Sequence, residues 1–222
     1  MLTVHHLNNS RSQRILWALE ELGVNYEVQR YEREPGSNLA PTSLKAIHPL
    51  GKSPVITDQD KTIAESGAII EYLVSQYPAA GLKPELGTEA HQQYLYWLHF
   101  AEGSLMPQLL LKLAFEKVSK KPMPFFVRSI AKGLTKKVMD GYVGPNIESN
   151  MKFIEEHLKA HEWFAGDQLS GADIQMSFPL EACVAKGLDS TMYPHIYAYV
   201  KKIHARSAYK RALEVGGSYD YA

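Results

Sequence analysis

The 222-residue sequence has a single cysteine, Cys183, so no disulfide can form within the chain and a reducing compartment suits it. Neither sign of charge is in excess: 24 Lys and Arg stand against 24 Asp and Glu, which removes any global pull toward nucleic acid or an anionic lipid surface. Long apolar runs are missing as well. Nothing approaches the roughly 18 residues of a membrane span, and Met1-Leu2-Thr3-Val4-His5-His6 lacks the charged-then-apolar layout of a signal peptide, so a cytoplasmic location is expected. There is no internal repeat and no low-complexity tract. Metal-ligand spacing is also absent, since His5 and His6 are neighbours pointing to opposite faces of a strand, and no metal is expected.

What is present is an ordinary globular composition, long enough for one large domain or two small ones. The chain is organised around Asn8-Asn9-Ser10-Arg11-Ser12-Gln13-Arg14. Leu2 to Leu7 reads as a strand, and Ile15, Ala18, Leu19 and Leu22 at i, i+3, i+4 and i+7 read as a core-facing helix that stops at Gly23. Ser10 with Gln13 three residues on predicts a capping box. A helix entered from a strand gathers unpaired N–H groups at its positive end, where an anion is favoured. Two readings of Ser10 stay open here: a cap, or a donor to a bound anion.

Tyr26 to Tyr31 alternates as a second strand, making a β-α-β unit with parallel strands. Glu32 to Ser43 reads as a loop, with a short helix around Ser43 to Ile47. Val55-Ile56 and Thr62-Ile63-Ala64 flank an Asp-rich turn and predict a hairpin, entered through Pro54, a proline suited to a cis bond. Glu65-Ser66-Gly67-Ala68 opens a helix carrying Ile69, Ile70 and Leu73. The β-α-β-α-β-β-α layer of residues 1–78 is complete by Tyr77, and 79–87 reads as a linker. From 88 to 222 only helices are expected, with a kink at Pro107, breaks at Pro122 and Pro124 and at Gly144-Pro145, a Ser170/Asp173 capping box, and one last long helix from Pro194. Cys183 falls on a helix's buried side. Lys117, Lys120, Lys121, Arg128, Lys132, Lys136 and Lys137 form a basic run without an acid; it reads as a solvated helix face, with a funnel for an anionic substrate as the alternative.

This order, an α/β thioredoxin-like layer followed by an all-helical half, resembles the glutathione transferases. The motifs that carry the resemblance are Ser10 in the loop entering the first helix, Gly51-Lys52-Ser53-Pro54-Val55, Glu65-Ser66, and Ser170-x-x-Asp173. Asn9-Ser10-Arg11-Ser12 with Ile47-His48-Pro49-Leu50-Gly51-Lys52 is most similar to the serine-type bacterial and yeast branch.

The resemblance implies an enzyme that conjugates the glutathione thiolate to small hydrophobic electrophiles, and it allows glutathione-dependent reduction of organic hydroperoxides. Glutathione is the implied co-substrate. Ser10 would donate to the thiolate, with Ser12 and Asn9 as rivals. Lys52 would approach the glycyl carboxylate, and the backbone of Val55 beside Ser53 and Pro54 would pair with the cysteinyl backbone. Glu65 would meet the γ-glutamyl ammonium and Ser66 the γ-glutamyl carboxylate. The electrophile is expected against the helical half, where Tyr94, Trp97, Met106 and the Lys132 region are candidates for a cleft. The active loop holds no cysteine and no tyrosine, which argues against thiol-disulfide chemistry and tyrosine activation. A homodimer is implied, with the helix around Tyr94 to Ser104 at its interface. The alternative is a non-catalytic ligand carrier or protein-interaction module on the same scaffold.

Overall fold

The computed structural model describes residues 1–120 and 124–222; Lys121 and Pro122, read above as part of the basic run and as a break, lie outside them. Strands β1 (Leu2–Leu7), β2 (Glu27–Tyr31), β3 (Val55–Asp58) and β4 (Lys61–Ala64) form one sheet in the order β2-β1-β3-β4. β1 pairs with β2 in parallel, Val4 opposite Val28, and with β3 antiparallel, Val4 opposite Ile56. One face takes Leu2, Val4 and Ile56 into a core with Ile15, Leu16 and Leu19 of α1 (Ser12–Leu22) and Ile69, Ile70 and Leu73 of α2 (Ser66–Gln76). Each such buried side chain contributes roughly 1.5–3 kcal/mol. A 3-10 turn, Thr42–Ala46, sits where the short helix is expected.

α1 ends at Gly23 in the left-handed region, as its sequence predicts. Its start differs. Arg11 is the N-cap and Ser10 makes no capping box, because Gln13 is buried and gives its amide to the Ala212 carbonyl at 2.9 Å. A distant partner in a dry interface prevails there over the local one.

The helical half holds α3 (Glu89–Phe100), α4 (Met106–Lys120), α5 (Phe125–Val138), α6 (Gly144–Ala160), α7 (Gly171–Ala185), α8 (Pro194–Ala205) and α9 (Ser207–Gly216). Pro107 deflects the chain through a wide π turn, Ala101–Leu105, in which the Met106 N–H reaches back to the Ala101 carbonyl. Gly144-Pro145, expected as an interruption, is instead crossed by a second π turn, Met139–Val143. Glycine is required at 144, since a Cβ there would stand 2.8 Å from the Met139 carbonyl oxygen.

α7 opens on the predicted box: the Ser170 N–H donates to Asp173 Oδ2 at 2.9 Å, while Phe164 N–H and the Tyr199 hydroxyl occupy Oδ1. The single last helix is in fact two, α8 and α9, because Arg206 is extended (ψ 138°) where its guanidinium grips Glu21 of α1 at 2.5 and 2.8 Å. The linker holds a 3-10 turn, Pro78–Ala80, and its Leu82 carbonyl accepts from Gly171 N–H. Among the described residues no helix is long and apolar enough to cross a membrane.

Candidate active site

The start of β3, the start of α2, the loop before α1 and the π turn after α3 converge on a cavity of about 240 Å³. Lys52, Ser53, Pro54, Glu65 and Ser66 line it, with Arg11, His48, Leu50 and Glu102. The Ser53-Pro54 peptide is cis. Ser66 is the buried first residue of α2, so the unpaired amides of that helix end face the cavity's edge. Glu65 is held at φ 71°, a left-handed conformation that costs a residue with a Cβ on the order of 1 kcal/mol. Of the predicted binding residues, Asn9 and Val55 stand apart. Val55 is fully buried in the sheet between His5 and Ala64, whereas Ser53, just before the cis bond, is on the wall.

Ser10 is buried at the base of the loop, next to Arg11 but not on the cavity lining. Its Oγ accepts from Ser12 N–H at 3.2 Å and lies 2.8 Å from Ser12 Oγ. Ser12 Oγ continues to His6 Nδ1 at 2.9 Å and also accepts from Leu7 N–H at 3.2 Å. Burial lowers His6 to about 4, helped by the nearby Arg30 and opposed by a hydrogen bond to the Gly216 backbone, so its ring is neutral at physiological pH. Asn9, at φ 48°, exchanges two hydrogen bonds with Asp220: its Nδ2 donates to the carboxylate and its Oδ1 accepts from Asp220 N–H, each at 2.9 Å. The tail is further fixed by Tyr219, whose hydroxyl donates to buried Glu181 at 2.7 Å.

The sequence reading missed Glu102. It accepts from Arg11 Nε at 2.8 Å and from Arg14 at 2.5 Å, and both guanidiniums lie over the Phe178 ring. Burial pushes the Glu102 carboxyl up, but the two arginines outweigh it and hold it below the usual carboxylate range. Arg14 also donates to the Gln175 carbonyl at 2.6 Å. That carbonyl is free because Pro179, four residues on in α7, has no N–H to give it. One signal was available, an arginine on α1's apolar stripe four residues before Ala18, which demands a buried partner; the partner, 88 residues away, left none.

A second, larger cavity of about 640 Å³ adjoins the first, sharing Arg11 and Leu110 with it. The Asn8-Asn9 pair, the Arg33–Asn38 loop, α4, α7 and Tyr221 enclose it. Met106 is on its wall, as expected, but Tyr94 and Trp97 are fully buried core residues and Lys132 is not among the lining. Cys183 lies outside both cavities, and burial pushes its thiol up to about 11, which keeps it protonated at neutral pH.

Residues 1–75 match the family described as the glutathione S-transferase N-terminal domain, and residues 118–207 the glutathione S-transferase C-terminal domain. The chain is 36% identical over 214 residues to glutathione S-transferase 3 of Schizosaccharomyces pombe, covering 96% of this chain and 87% of that one. It is 32% identical to glutathione S-transferase 1 of Saccharomyces cerevisiae, covering 96% and 94%. Among solved structures, a glutathione S-transferase from Actinobacillus pleuropneumoniae superposes with a TM-score of 0.82 at 34% identity, covering 100% of this chain and 95% of that one.

Proposed function

The chain belongs to the glutathione S-transferase family, and from that premise we propose that it adds the glutathione thiolate to small electrophiles with apolar frameworks. The observation that carries this reading is the convergence of Lys52, Ser53, cis-Pro54, Glu65 and Ser66 on one cavity. Lys52 takes the glycyl carboxylate, Glu65 the γ-glutamyl ammonium, and Ser66 with the α2 amides the γ-glutamyl carboxylate. The cysteinyl backbone pairs with main chain beside the cis bond at Ser53, which lines the cavity and takes the role expected of Val55.

A free thiol has a pKa near 8.5, so about 3% is thiolate at pH 7; lowering it by roughly 2 units gives about 75% and needs about 2.7 kcal/mol. Ser10 supplies a hydroxyl for this, and the start of α1 supplies its dipole, each on the order of 1 kcal/mol in a partly dry site. The thiol proton leaves to solvent, a C–S bond forms, and the displaced group departs with its electron pair. An organic hydroperoxide would instead oxidise two glutathiones to the disulfide and be reduced to an alcohol and water. The protein works in the cytoplasm as a homodimer.

One observation favours the non-catalytic carrier instead: Ser10 Oγ already has Ser12 as its partner. Titrating pH while following thiolate absorbance of bound glutathione separates the two. A bound pKa about 2 units below that of free glutathione, rising by about 1 unit in Ser10→Ala, is the expected result. A lowered pKa indifferent to the mutation moves the donor role to Ser12 or the backbone amides. Binding with no shift at all would establish the carrier.

A further inference from the structure

The larger cavity is built for more than apolar contact. Its lining carries Arg11, Arg33, Lys117 and Lys186 against the two carboxylates of Glu34 and Asp220. Arg33 spends its N–H groups on neutral carbonyls, those of Asn8 (3.2 Å), Asn9 (2.9 Å) and Asn38 (3.0 Å), so its charge stays uncompensated and it keeps N–H groups to spare. Asp220 accepts from the neutral Asn9 amide through one oxygen, so it offsets one of the four positive charges. Arg11 shares Glu102 with Arg14, two guanidiniums on one carboxylate. Among the described residues, Arg33, Lys117 and Lys186 form no ion pair with any acid. With four cations against two carboxylates the cleft is net positive, and its low-dielectric walls focus that excess on whatever enters. Part of the wall is apolar: Leu109 and Leu113 of α4 line the cleft together with Phe178, on which Tyr221 packs edge-on at 5.7 Å.

We propose that the electrophile this cleft takes carries a carboxylate. Its aryl or alkyl framework lies along Phe178 and the α4 leucines, and its acid group turns to Arg33 and the Lys117 and Lys186 side. The proposal rests on the transferase reading, and it deepens that reading by naming the substrate class. A neutral framework of the same shape gains the apolar wall but leaves the cationic wall unanswered.

Binding of stable conjugates to the full chain tests this without depending on turnover. Calorimetric titration compares S-(4-carboxybenzyl)glutathione, its methyl ester, and glutathione itself. The acid is expected to bind about tenfold tighter than the ester, the advantage shrinking as salt is raised. In Lys117→Gln/Lys186→Gln, and again in Arg33→Gln, the acid loses most of that advantage while the ester and glutathione bind as before. Equal affinities for acid and ester in a chain that binds glutathione overturn the proposal and leave the transferase reading standing. An advantage that survives all three substitutions overturns it too, since the acid is then read elsewhere. Glutathione failing to bind at millimolar concentration removes the transferase reading, and the proposal with it.

Discussion

A hydroxyl has one proton, and Ser12 Oγ stands within hydrogen-bond reach of His6 Nδ1, Ser10 Oγ and the Leu7 carbonyl while accepting from Leu7 N–H. Ser12→Ala strands that buried N–H and the buried imidazole together. A loss of roughly 1–3 kcal/mol is expected in urea unfolding at pH 7.5; no loss would mean that water replaces the hydroxyl. His6 adds a pH dependence whose sign follows from its folded value of about 4. Between about 4 and the unfolded value near 6.5 the unfolded chain holds a proton that the native chain refuses. The contribution is therefore complete above about pH 6.5 and is lost at about 1.4 kcal/mol per unit as the pH falls toward 4. Unfolding measured at pH 7.5 and 5 should show a smaller acid loss in His6→Gln than in the wild type. At this scale the sequence was partly legible. Glu65, Ser66 and Lys52, singled out by motif spacing, line one cavity, because short-range structure places each of them. The pairing of Asn9 with Asp220 and the place of Glu102 were not legible, because the partners lie 211 and 88 to 91 residues away.

Whole elements depend on such distant partners. α7 runs through Pro179 intact because Arg14 of α1 answers the Gln175 carbonyl. Removing Arg14 as Arg14→Met should cost about 3 kcal/mol, since Glu102 and that carbonyl both lose it. In Pro179→Ala the new N–H serves the carbonyl from within α7, so Arg14→Met should cost about 1 kcal/mol less there. A double-mutant cycle of unfolding free energies measures the difference; equal costs in both backgrounds would sink the coupling. The strands, α1, α2 and the α7 box were readable from period and capping residues, which are local signals. The π turns beside Pro107 and Pro145 were not, because a proline reads as a break in sequence whereas a neighbouring wide turn can absorb its missing N–H. Arg206, breaking the last helix in two, is again a residue held from outside by Glu21.

On the scale of the molecule, α3 presents Leu95 and Tyr96 to solvent, and the exposed Phe153 ring of α6 joins Tyr96 and Phe100 in one aromatic patch. That is the face expected to meet a second copy. Light scattering should find a species twice the 25.0 kDa chain mass, and Tyr96→Glu should shift it toward the monomer; a wild type at 25.0 kDa alone would rule the dimer out. The Pro179 gap also bears on how such molecules can be recombined. A first domain lacking arginine at 14, grafted onto this helical half, leaves a buried carbonyl unanswered, and this first domain on a helical half without Glu102 buries a lone cation. The two halves are therefore not free to be shuffled as independent cassettes: positions 14, 102 and 179 have to be exchanged together.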